Sequence, residues 1–174
     1  MTGDGVREKV PSDWASRLAL AVAETVREFV PVLREAAVEL FAIDCHPWHG
    51  TVDLAVLTAN EVSADPELAD PSGMAAWEYY CFSDGLIAWR PVAALGAEMR
   101  AEYEAAASRP TTADGFLRAC AQAAVSPEVA AAIEQLNRTL SFRLTVTHPD
   151  DGREFVLDRV SDTEPDEAEE GGDT

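Results

Sequence analysis

Six residues able to do chemistry crowd into one short stretch of this chain. Residues 40–58, LFAIDCHPWHGTVDLAVLT, hold Asp44, Cys45, His46, Trp48, His49 and Asp53 on and around a Pro-Trp-His-Gly turn, and two of the chain's three histidines are among them. Thiolate and imidazole are ligands that zinc prefers, and a His-x-x-His spacing can converge in a turn, so Cys45, His46 and His49 form the candidate metal set. Against that set, a structural zinc site takes four protein ligands and the chain has no Cys-x-x-Cys pair. Neighbours on a strand also point to opposite faces, which would separate Cys45 from His46. Thiol catalysis would need Cys45 or Cys81 with a lowered pKa and a histidine within hydrogen-bond reach. Asp44 and Asp53 lie on the two arms of the turn; buried side by side, their repulsion would raise one pKa and suit acid–base work. No Gly-x-Ser-x-Gly elbow, P-loop, Gly-x-Gly-x-x-Gly or His-Glu-x-x-His pattern accompanies them. These residues therefore assign no catalytic group, no resident metal and no cofactor, and each cysteine reads first as a small buried apolar side chain.

The elements that must position this stretch follow from periodicity. Trp14, Leu18, Val22, Val26, Phe29 and Leu33 recur at three- and four-residue steps, which predicts an amphipathic helix over 13–34 with Ser12 as its cap and an interruption at Pro31. The apolar runs 38–46 and 51–58 read as a β-hairpin, the first strand apolar on both faces and so covered on both. Residues 61–73, with Asp65-Pro66 and Asp70-Pro71, read as a loop, and the aromatic run 77–83, WEYYCFS, as a third strand ending at Asp84-Gly85. Beyond Pro91 a helix is expected over 92–107, a second after a cap at Thr111 or Thr112, and a third after Ser126-Pro127-Glu128. Alternation over 140–147, the His148–Gly152 turn and a return over 153–160 complete five strands. The expected fold is α+β: a mainly antiparallel sheet of about five strands with an N-terminal helix and three middle helices packed on it.

Charge narrows the partners. The formal charge is −19, and although residues 161–174 hold seven acids and no base, residues 1–160 still carry 25 acids against 13 bases. Such a field repels nucleic acid phosphates and anionic lipid surfaces and favours encounter with basic proteins, so a basic protein partner is expected, with no direct nucleic acid or membrane contact. A length of 174 residues and 47 % apolar content suit one domain, expected over 12–160 between a flexible 1–11 and a disordered acidic tail at 161–174. Three widely spaced cysteines make a poor disulfide framework and suit a reducing compartment, and no apolar run has signal-peptide or membrane-span character, so the expected location is the cytoplasm.

IDCHPWHGTVDLAVLT followed, after an acidic and proline-bearing loop, by AAWEYYCFSDG resembles a group of uncharacterised bacterial domains with an N-terminal helix, an apolar strand hairpin and an "AEWxYY"-type segment. These domains are grouped loosely with immunity proteins of bacterial toxin systems, and the resemblance covers roughly residues 12–89. It implies a neutralising or accessory role and carries over no catalytic residue. The leading expectation is thus a small, acidic, non-enzymatic domain that binds a basic protein through Asp44, Trp48, His49, Asp53 and Asp84. A thiol- or metal-dependent enzyme centred on the hairpin is the alternative, and a small-ligand sensor a further one.

Overall fold

The computed structural model describes residues 10–155. Helix α1 (Trp14–Leu33) buries Trp14, Leu18, Val22, Val26, Phe29 and Leu33 on one face, and each such large side chain removed from water contributes about 1.5–3 kcal/mol before ordering entropy is subtracted. Pro31 is accommodated in its last turn, and Arg34, at a φ of 53°, ends it. Strands β1 (Val38–His46) and β2 (Thr51–Thr58) then form the hairpin, with Asp44 directly opposite Asp53 and Ala42 opposite Ala55. Helix α2 (Ala59–Ala64) and two 3-10 segments, Pro66–Ala69 and Pro71–Ala76, follow; a third, Ile87–Trp89, leads into α3 (Val92–Ala105), α4 (Arg109–Ala124) and α5 (Pro127–Ile133). The chain returns as β3 (Arg138–Val146), which pairs with the free edge of β1 in parallel, so the sheet order is β2-β1-β3.

Both faces of the central strand are covered. Phe41, Ile43 and Cys45 join Leu54 and Val56 in a core shared with α1, α3, α4 and α5, where Phe29 stacks on Phe82 at 4.1 Å and Trp14 meets Phe116 edge-on at 5.1 Å. Leu40, Ala42, Ala55 and Leu57 form a smaller core on the other face, roofed by Met74 and Trp77. That double burial is the physical reason six of the nine positions of β1 are apolar, on both of its faces.

The sheet differs from the expectation of about five mainly antiparallel strands: among the described residues it has three, paired both ways. The run 77–83 is not a strand. Trp77 is fixed at the end of a 3-10 segment, its indole nitrogen donating to the Leu68 carbonyl at 2.9 Å, and Cys81 takes a φ of 54°, a left-handed conformation that no extended strand can contain. The segment instead caps the edge of β2. Tyr79 forms an isolated bridge to Val56, the Phe82 amide donates to the Leu54 carbonyl, and the Ser83 hydroxyl accepts from the Leu54 amide. Covering an edge in this way removes an open template for intermolecular pairing. Of the expected fifth strand, only a bridge between Thr147 and Glu154 is described, and 156–160 lie outside the described residues, as does the tail. The stretch read as a loop at 61–73 begins inside α2, which is started by a capping box in which Thr58 and Glu61 exchange hydrogen bonds, and continues through the 3-10 segments. Helix α4 begins at Arg109, ahead of the expected threonine caps, and Ser126 caps α5 as its sequence predicts.

Candidate functional site

The Pro47–Gly50 turn is tight because the His49 and Gly50 amides both donate to the His46 carbonyl and Gly50 adopts a φ of 70°, which only glycine reaches without strain. The turn lies directly on α3: a Cβ added at Gly96 would overlap the Gly50 carbonyl oxygen. Two glycines thus let turn and helix touch backbone to backbone, and this contact sets where the turn sits.

Strand alternation sorts the candidate residues. Cys45 faces the main core, fully buried, with its sulfur 3.7 Å from that of Met99, and its pKa is raised by the neighbouring Cys120 and by burial. Asp44, His46 and Asp53 emerge together on the opposite face. Asp44 is 6 % exposed and fully engaged: one oxygen lies 3.0 Å from His46 Nε2 and the other accepts from the Tyr80 hydroxyl at 2.9 Å. This hydrogen bond to Asp44 is the main cause of a raised His46 pKa. Burial, followed by the adjacent Asp44 carboxylate, pushes the Tyr80 hydroxyl well above the usual phenol range. Asp53 is half-buried, and its pKa rises first through desolvation and then through Asp44 and Asp84. Its strained neighbour Cys81 is pushed up to about 11 by burial and the Asp53 charge, so the thiol stays protonated at neutral pH.

Trp48, half-buried at the turn, is ringed by every histidine in the chain: His46, His49 and His148 have ring centroids 5.7, 6.2 and 5.9 Å from its own. His148 arrives because β3 runs parallel to β1, which brings the ends of both strands to the same side of the sheet. An antiparallel β3 would have carried it to the far side. Between His46 and His148 lies a cavity of about 160 Å³, also lined by Asp44, Met74, Tyr80 and Thr147. A larger cleft of about 520 Å³ opens on the other side of Asp53, where the start of β2 meets the 84–86 turn and the start of α3.

No family model, curated protein or solved structure matches the chain. Thiol chemistry is poorly served, because Cys45 faces away from His46 and both Cys45 and Cys81 have raised pKa values. Among the described residues no group of three or more His, Cys, Asp or Glu side chains is placed to hold a metal ion. No helix among them is long and apolar enough to cross a membrane. Of the five expected partner-binding residues, Asp44 is internal, Asp53 and Asp84 share the larger cleft, His49 is exposed and Trp48 sits at the centre of the histidine ring. Tyr80 and His148 join the cluster without having been expected there. The signal for Tyr80 is its position in the aromatic run; nothing local announces His148, whose approach depends on the direction of a strand pairing.

Proposed function

We propose that this chain is a small, acidic, non-enzymatic domain that binds a basic protein, in the manner of an immunity or accessory factor. One observation carries the reading: residues 50–89 contain seven acids and no lysine, arginine or histidine, and this stretch comprises the outer strand β2 and the segments laid along its edge and beside both faces of the sheet. Asp65, Glu67, Asp70, Glu78 and Asp84 are exposed along it. Asp65 and Asp70 do local work as caps of 3-10 segments, yet backbone amides do not neutralise a carboxylate. Arg143 reaches this surface and gives its hydrogen bond to the Ala69 carbonyl rather than to an acid. Four other arginines are engaged with acids elsewhere, Arg17 with Glu98, Arg27 with Glu24, Arg100 with Glu104 and Arg153 with Asp114. A surface of one sign accelerates encounter with the opposite sign and rejects like-charged competitors. The small-ligand reading has the 160 Å³ cavity and the 520 Å³ cleft behind it, whereas the exposed acids extend along the whole of 65–84.

The test is affinity capture from cells that make the chain, followed by kinetics with the recovered protein. A basic partner is expected, with an association rate that falls at least about tenfold as salt rises from about 0.05 to about 0.5 M. Capture should disappear when Glu67, Asp70 and Glu78 are all replaced by lysine. A partner that is neutral or acidic, or a complex indifferent to those three substitutions, would overturn the reading.

A further inference from the structure

The cleft beside Asp53 differs in character from the rest of the acidic surface. Its floor is apolar, made by Val52, Trp89 and Val92, all buried, and the Trp89 indole is held in place by donating to the Val52 carbonyl at 3.2 Å. Two carboxylates, Asp53 and Asp84, stand along its wall, and among the described residues neither makes an ion pair with a lysine or arginine. Arg90 lines the same cleft and forms no ion pair with them among the described residues, and the offset to Asp53 comes from His46 and a hydrogen bond with Cys81. At about 520 Å³ the space is within the range of ligand pockets and admits a long side chain together with the backbone that bears it.

An apolar floor beside two carboxylates that have no lysine or arginine ion pair among the described residues is complementary to an aliphatic stem ending in a cation. We propose that this cleft is the anchor site for a single arginine side chain of the basic partner, its methylenes on Val52, Trp89 and Val92 and its guanidinium between Asp53 and Asp84. Arginine fits better than lysine, because a planar guanidinium presents donors to two carboxylates at once and is the more weakly hydrated of the two cations. Its stem also covers apolar surface as the head reaches the acids. A bound guanidinium would offset the Asp44 and Asp84 charges that, after desolvation, raise the Asp53 pKa. The assignment rests on the partner-binding reading and adds to it a location and a residue type.

Amide chemical shifts of the full chain, titrated separately with N-acetyl-arginine amide, N-acetyl-citrulline amide and a lysine- and arginine-rich 20-residue peptide, test both levels. The arginine derivative should move the amides of Gly50, Val52, Gly85 and Ala93, while uncharged citrulline, of nearly the same shape, should leave them still. Replacing Asp53 and Asp84 by asparagine should weaken the arginine response at least about tenfold, and the spectrum of that variant itself reports that the fold is kept. Equal responses to arginine and citrulline, or arginine shifts that avoid the cleft, overturn the anchor. If the peptide perturbs the 65–78 face while the cleft stays silent, the anchor is wrong and the partner-binding reading stands; if the peptide perturbs neither, both fall.

Discussion

At the scale of single residues, the two aspartates that face each other across the hairpin have opposite roles. Asp44 is satisfied by His46 and Tyr80, and its removal strands both partners; Asp53 is partly desolvated and sits beside two like charges, offset in part by His46 and a hydrogen bond with Cys81. Asp44→Ala should therefore destabilise the protein by about 1–3 kcal/mol, the usual cost of leaving buried polar partners unmade. Asp53→Asn should stabilise it, since like charges directly opposite on paired strands cost up to about 1 kcal/mol, worth about 2–4 °C in melting temperature for a domain of this size. The pH dependence follows from the raised Asp53 pKa. A carboxyl whose folded pKa lies above its unfolded value favours folding when protonated, and that contribution is lost as pH rises through the folded value. The gain from Asp53→Asn should accordingly be present at about pH 7.5 and vanish by about pH 3.5, below the ordinary aspartate value. Thermal melts of wild type and both variants at the two pH values check this; a gain that persists at the lower pH would mean that the charge of Asp53 is not the cause. His46 works in the same direction, because its raised pKa ties part of the native stability to its protonated form, lost on going to alkaline pH.

At the scale of elements, the contact between α3 and the hairpin turn depends on the absence of two side chains. Gly96→Ala places a methyl against the Gly50 carbonyl, and because the obstacle is backbone, the helix or the turn must shift; a loss of about 1–3 kcal/mol or more in urea unfolding is expected. Gly73→Ala, where nothing lies within 4 Å of an added Cβ, is the control and should leave stability within about 0.5 kcal/mol. An equal response at the two sites would remove the turn–helix contact as the thing that matters. The elements themselves were legible to different degrees. Strands β1 and β2 and helix α1 could be read closely from the sequence because their apolar patterns are local and long. Helix α2 carries a readable start at Thr58 and Glu61, obscured by the Asp-Pro pairs that follow it and suggest only turns. The aromatic run at 77–83 misled for a physical reason: strand propensity measures how well a side chain suits a half-buried surface, and Tyr79, Tyr80 and Phe82 find one in irregular backbone laid along β2. For the site, alternation placed Cys45 apart from His46 and set Asp44 against Asp53, whereas the arrival of Tyr80 and His148 depended on contacts between distant segments.

At the scale of the whole molecule, the excess of acids sets a long-range repulsion that binding would relieve and folding must tolerate. Raising sodium chloride from about 0.01 to about 1 M shortens the screening length from about 30 to about 3 Å, and the melting temperature should climb by several degrees over that range. A flat or falling midpoint would mean that the charges are already neutralised locally. The parallel pairing of β1 with β3 adds a matter of timing. The hairpin closes from neighbouring residues within about 1–10 μs, but Val38 finds Arg138 only after α3, α4 and α5 have been laid across the gap. Until then β1, the most buried of the described strands, shows one bare edge, the state in which growing chains of different copies join each other by mistake. Copies of this chain repel one another throughout that interval, so its surplus of negative charge also serves as a guard over its own unfinished sheet.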